Sequence, residues 1–252
     1  MSEPERRSSS KAKTALKKDA GAVGDTTDAH GDARERSAKP SALERMLDAP
    51  WFAPLAAVGS HLPSLGCGFI WHDHGDIERG LALAPPREWF GLFTRGFSHT
   101  GFYRPLVALT LSMDALVGSP AWFHATNITL HALAAYMVLL AAEAMGLSRR
   151  AASFAALLFA VHPLTTIVTG SISYRSEAML VAALAGLLAA HLRGHVLWAG
   201  VAMVLGALSK ETALVLAPLL IGAIEVSSRL PGRATESRAP IASLRVLLLV
   251  EA

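Results

Sequence analysis

The chain has 252 residues, 52% hydrophobic and 17% charged, with a formal net charge of +3 and one cysteine. A lone Cys67 excludes an intramolecular disulfide framework and a cysteine-based metal site. The positive mean hydropathy would suit a greasy globular protein, but the charges are too unevenly spread for that.

Residues 1–50 hold ten Lys/Arg and nine Asp/Glu among Ser, Gly and Ala. Such a segment buries too little apolar surface to offset its ordering entropy, so 1–48 is expected to be a disordered cytoplasmic tail. It is not a signal peptide, because no apolar stretch follows the early basic residues. The basic cluster Lys11, Lys13, Lys17 and Lys18 is nearly neutralised by the acids after it, so no nucleic-acid partner is expected.

A multi-pass membrane domain is expected over 49–252. Its first span falls near 51–70, interrupted by Pro54, His61 and Pro63, and a first extracytoplasmic loop occupies about 71–103. The stretch "YRPLVALTLSMDALVG" is too short to cross and contains Asp114, which predicts an interfacial or re-entrant helix. "PREWF" at 86–90 reads as an amphipathic interfacial patch. Further spans fall near 124–145, 151–168, 177–192, 195–209 and 212–228, and from 241 on. These runs are apolar all round, whereas a soluble helical bundle needs polar faces recurring every three or four residues. Their Ala and Gly content suits close helix contacts in lipid. The fold class is therefore all-α, a polytopic transmembrane helix bundle with a disordered N-terminal tail.

Charge supports one orientation. With the tail cytoplasmic, the inside segments hold Arg149, Arg150, Arg193, Arg229, Arg233, Arg238 and Arg245 besides the ten basic residues of the tail. The outside segments hold Arg79, Arg87, Arg95, Arg104, Arg175 and Lys210, so seventeen cations face six. That asymmetry agrees with the positive-inside rule. The expected location is a plasma or inner membrane, with the N-terminus in the cytoplasm.

This topology gathers the unusual polar residues on the outer face: His72, Asp73 and His74, then Arg104, His124 and Asn127, then His162, Arg175, Glu177, Lys210 and Glu211. Ionisable groups at membrane depth usually face a cavity or a partner, so the convergence marks a candidate site. A metal reading has some support, since His124, Asn127 and His131 share a helical face and imidazoles are common ligands. Histidines at span ends are more often hydrogen-bonded anchors, however, and His-Asp-His has no defined ligand spacing. No metal ligand is assigned, and a divalent ion stays the less favoured alternative.

The order of motifs resembles a known family. "GFIWHDHGDI", "YRPLVALTLSMDALVG", "FHATNITLHALAAY", "LLFAVHPLTTIVTGSISYRSEAML" and "LGALSKETALVLAPLLI" are similar, from about residue 66 to 222, to the membrane region of the TMTC-type proteins. These are GT-C-fold glycosyltransferases related to protein O-mannosyltransferases and often followed by tetratricopeptide repeats. The chain contains no such repeats and looks truncated beside that family. The resemblance implies a GT-C-like bundle that moves a sugar from a polyprenyl-phosphate-linked donor to an acceptor hydroxyl outside the cytoplasm. It implies no further cofactor. Its partners would be membrane lipids, the lipid-linked sugar, and an acceptor protein or glycan.

Residue by residue, the family's acidic pair falls on His72 and Asp73, with histidine in place of the first acid. The YRPL element falls on Tyr103, Arg104, Pro105 and Leu106. His124, Asn127 and His131 match the Asn-to-His helix, and His162-Pro163 the His-Pro turn. Arg175 matches the following arginine, and Ser209, Lys210 and Glu211 match the Ser-Lys-Glu junction. The chemistry is coherent: a carboxylate such as Asp73 takes the acceptor's proton, while Arg104, Arg175 or Lys210 meets the leaving lipid phosphate. His162 would orient either partner, and Glu211 would tune or pair with Lys210. One rival is a non-catalytic scaffold on the same fold, which the change at His72 favours. A transporter fits less well, because the polar residues gather at one face and not at mid-depth.

Overall fold

The computed structural model describes residues 41–98 and 100–229. Residues 1–40 of the tail expected over 1–48, and the span expected from 241, lie outside the described residues. Residues 41–48, placed in the tail by composition, include the short helix α1 (Ala42–Leu47). Ser41 and Glu44 start it with a reciprocal capping box, satisfying two orphan backbone donors.

All described regular elements are helical. α2 (Phe52–His61) runs straight into a 3-10 turn at Leu62–Gly66, where Pro63 ends regular bonding. After the loop come α3 (Pro105–Ala115) and the long α4 (Pro120–Ala144). α5 (Arg149–Val161), α6 (Thr166–Gly170), α7 (Arg175–Leu192), α8 (Val196–Ser209) and α9 (Ala213–Arg229) follow. Proline opens both α3 and α4, where its missing N–H costs no helical bond. Glycine closes α4 and α7: Gly146 and Gly194 have positive φ, and the next residue donates back to Ala142 O and Ala190 O. That 6→1 bond is the Schellman stop, which needs the left-handed conformation glycine adopts without strain.

α4 and α7 pack along each other at the centre. α2 and α5 flank α4 on one side, while α8 and α9 cover α7 on the other. Gly206 permits the closest approach in this second layer, since a Cβ there would lie 3.2 Å from the Cβ atoms of both Ala183 and Ala213. Small residues in contact let backbones near one another, as helix packing in lipid requires.

Two helical stretches, Pro120–Ala144 and Ile172–Leu192, are long and apolar enough to cross a membrane. A third results if Arg149–Val161 and Pro163–Gly170, bent by 51°, count as one broken span. Only 44% and 50% of the two apolar windows are buried, so the rest of their apolar surface faces outward. Leu197, Trp198, Val215 and Leu219 are likewise exposed on α8 and α9. Outward apolar surface on this scale belongs in lipid.

Among the described residues, several stretches expected as spans form shorter helices. α8 and α9 rise only about 21 and 25 Å, against a hydrocarbon core of about 30 Å. The stretch near 51–70 yields a ten-residue helix. Polar junctions at His162-Pro163, Arg193-Gly194 and Lys210-Glu211 end the helices early. α3, with eleven residues, is too short to cross, as its composition predicts.

The loop over 71–103 is not loosely solvated. Ile77, Ala82, Leu92 and Phe97 form one apolar cluster with Val107 and Leu111 of α3, Phe123 of α4 and Ile172. Polar contacts pin it further: Ala84 N–H donates to Ser112 Oγ, Trp89 Nε1 to Ala84 O, and Tyr103 OH to Phe93 O. In the 86–90 stretch Trp89 packs inward while Phe90 stays exposed, giving an outward apolar edge.

Candidate functional site

The site is built where α3, α4, α7 and the α8–α9 junction meet the loop. Trp71 takes a left-handed backbone (φ +49°), which a bulky residue rarely adopts. Of the two residues after this turn, His72 is exposed and Asp73 is fully buried. Asp73 Oδ1 accepts from the Ser173 N–H at 2.7 Å and from Ser171 Oγ at 3.3 Å. Its Oδ2 accepts from Ile172 N–H at 3.1 Å and Ile70 N–H at 3.2 Å. Four donors on a buried carboxylate make Asp73 a clamp between the loop and the start of α7, with no oxygen facing solvent. His72 makes no side-chain hydrogen bond among the described residues and stands at the surface. His74, also exposed, meets Glu78 at 2.7 Å.

Arg175 lies just beyond that clamp and is wholly buried. Its Nε donates to Asn127 Oδ1 at 2.7 Å, and its Nη2 to Asp114 Oδ2 at 2.5 Å and Phe123 O at 3.2 Å. Asp114 Oδ1 also accepts from Thr126 Oγ1. The arginine is therefore enclosed in a network joining α3, α4 and α7, and Asp114 supplies the countercharge. Among the described residues its buried Nη1 has no hydrogen-bond partner, and neither has the buried Ser173 Oγ.

The α4 face holds the bent segment in place. Asn127 Nδ2 donates to Val168 O at 2.8 Å and Ile172 O at 3.3 Å. His124 Nδ1 lies 2.8 Å from Thr169 O, and His131 Nε2 lies 3.0 Å from Ala160 O. These ring nitrogens donate to carbonyls. Among the described residues no group of three or more His, Cys, Asp or Glu is arranged to hold a metal ion. His162 is exposed, and its Nδ1 accepts from Leu164 N–H, capping the turn that bends α5 into α6.

Two ion pairs stand at the same end. Arg104, the N-cap of α3, forms a bidentate pair with Glu211, Nε–Oε2 at 2.9 Å and Nη2–Oε1 at 2.6 Å. The Phe102 ring supports its guanidinium at 4.5 Å. These hydrogen bonds hold the Glu211 carboxyl below its ordinary value, against a smaller opposing effect of desolvation. Lys210 pairs with Glu177 of α7. All four charged side chains are partly accessible, unlike Arg175.

An apolar groove of about 400 Å³ is lined by residues of α3, α4, α7 and α8, and none of the four charged side chains is among them. Leu106 and Ser209 line it, and Met137, Gly186, Trp198 and Ala202 line it along α4, α7 and α8. Leu106 is two residues from Arg104, and Ser209 adjoins Lys210.

The sequence groups these residues but does not separate their depths. Its reading overlooked the clamp donors Ser171 and Ser173, and Thr126. Asp114 was visible as an acid in an apolar helix, and its partner Arg175 follows from the cost of burying either charge alone.

The fold and the apolar outer surface define a helical integral membrane protein with a charged site at one end of its bundle. The chain is a distant homologue of the TMTC protein O-mannosyl-transferases. It is 31% identical over 187 residues to protein O-mannosyl-transferase Tmtc1 of Drosophila melanogaster, covering 67% of this chain and 21% of the relative. It is 36% identical over 129 residues to the human TMTC1 enzyme and 33% over 127 to mouse TMTC3, covering 46% of this chain and 14% of each relative. The chain thus matches about a fifth or less of its relatives' length. No protein-family profile matches it, and no solved structure does.

Proposed function

We propose that this chain is a GT-C-type glycosyltransferase, or the membrane half of one, and that it takes its sugar from a polyprenyl phosphate. The observation that carries this reading is the apolar groove, two of whose lining residues, Leu106 and Ser209, stand in sequence two residues from Arg104 and next to Lys210. An acyl or prenyl chain suits its lining, and a phosphate at the membrane surface suits the two cations. The sugar is mannose, as in the names of the relatives, and the acceptor is a protein hydroxyl. Neither Arg175 nor Asp73 is accessible, so they position the site and do not touch substrate. The base that takes the acceptor's proton is then the exposed His72, an imidazole within the range of groups that do this work. Arg104 and Lys210 stabilise the phosphate as it leaves.

The charges at the opposite end support a cytoplasmic N-terminus: Arg149 and Arg193 gather about Glu143, and Arg150 meets Glu44 and Asp48. Cys67, exposed near the site, is the natural probe of this orientation. A membrane-impermeant thiol reagent should reach it from outside the cytoplasm, and labelling from the cytoplasmic side alone would reverse the topology. Catalysis is tested by sugar transfer from polyprenyl-phosphate mannose in membranes carrying the chain. Transfer by the parent that disappears in His72→Ala is expected. A folded but inactive parent would favour a non-catalytic scaffold.

A further inference from the structure

The bidentate contact on Arg104 has a consequence for any phosphate at this site. Glu211 engages Nε and Nη2, the same fork of the guanidinium that grips a phosphate through two parallel hydrogen bonds. Glu177 likewise meets the ammonium of Lys210. Both cations therefore already carry a carboxylate. A phosphate can reach them only by exchange.

We propose that Glu211 and Glu177 act as internal competitors for the lipid phosphate and set the affinity of the groove for its headgroup. This rests on the reading of the groove as a polyprenyl-phosphate site, and gives the two acids a role that phosphate binding alone does not require. The four groups form two pairs on neighbouring residues, because Lys210 and Glu211 adjoin at the end of α8. A phosphate headgroup, whose charge is shared over at least two unbridged oxygens, can meet both cations at once in place of the carboxylates, whereas an uncharged prenol replaces neither. The paired carboxylates thus favour chains that end in phosphate over neutral lipids of the same length. Apparent affinity falls by the fraction of protein in which the cations are released.

The test is equilibrium binding of radiolabelled polyprenyl monophosphate to the full chain in lipid nanodiscs. Unlabelled polyprenol and inorganic phosphate serve as competitors. Glu211→Gln and Glu177→Gln remove one competing charge each, and Glu88→Gln, at an exposed position away from the pairs, makes the same change in net charge. The expected result is binding about five- to tenfold tighter in each of the first two variants, with Glu88→Gln at the parent value. Polyprenol should compete equally in parent and variants, and inorganic phosphate should compete weakly in both. If the parent binds and both variants bind equally or more weakly, the pairs are structural and the inference fails while the groove reading stands. Loss of folding in both variants, seen in their melting, has the same meaning. If neither parent nor variants retain the lipid phosphate, the groove reading fails and the inference with it. Tight inhibition by inorganic phosphate alone would overturn the assignment to a lipid.

Discussion

Arg175 and Asp114 lie 61 residues apart in sequence, and their charged groups meet at 2.5 Å inside the bundle. Neither side chain is appreciably exposed to solvent. A buried charge deprived of its partner is far more costly than the pair is favourable. Asp114→Ala should therefore destabilise the chain by about 3–5 kcal/mol, read as a drop in melting temperature in detergent. Replacing both, Arg175→Met with Asp114→Leu, should recover much of that loss. A double variant as unstable as the single one would show that the charges are not the issue.

Asp73 is expected to behave as a clamp. Asp73→Asn keeps the shape but turns an acceptor toward a donor, setting an amide NH₂ against backbone N–H groups. A loss of about 1–3 kcal/mol follows, as for any buried donor left without an acceptor. His72→Ala, at an exposed position, should leave the melting temperature unchanged while removing transfer. Stability intact in Asp73→Asn together with lost transfer would return the catalytic role to the aspartate.

The contrast between these neighbours shows what sequence carried and what it did not. Helix positions near 124–145 and 177–192 were plain from uninterrupted apolar runs, and the proline and glycine punctuation placed their ends. Depth did not follow. His72 and Asp73 differ by one position, and only the left-handed turn at Trp71 and the donors at 171–173 decide which of them is buried. Arg104, Arg175 and Lys210 read alike as cations at a membrane face, yet Arg175 is enclosed by Asn127 and Asp114 while the other two meet partly exposed acids. Such partners lie 33 to 107 residues away and leave no local pattern.

Gly206 tests the packing of the second helical layer. A methyl group there would stand 3.2 Å from Ala183 and Ala213. Gly206→Leu should push α8 away from α7 and α9 and cost about 1–3 kcal/mol, the usual penalty of overpacking. Thermal melting in detergent measures it. An unchanged melting temperature would mean that the three helices can separate without penalty.

The Arg104–Glu211 pair predicts a pH dependence with a definite sign. Glu211 is lowered in the fold from the ordinary 4.5, chiefly by its hydrogen bonds to Arg104. A lowered acid contributes stability that is present above its unfolded value and lost as pH falls through its folded value. The contribution should therefore be constant from neutral pH down to about 5 and disappear only below the ordinary carboxylate range. Comparing the melting temperature of the parent with Glu211→Gln across that range checks it. Their difference should stay level above pH 5 and shrink in stronger acid. A difference that shrinks between pH 7 and 5 would contradict the assignment.

The central claim is that a lipid phosphate lies with its chain along α4, α7 and α8 and its headgroup at Arg104 and Lys210. A polyprenyl phosphate with a photoreactive group in its chain tests this most directly, with the adducts mapped by peptide sequencing. The account predicts adducts on peptides containing Met137, Gly186 or Trp198, and fewer of them in Arg104→Gln. Adducts confined to α2 and α5, or labelling of the groove peptides that is indifferent to Arg104→Gln and to competing polyprenyl phosphate, would contradict it.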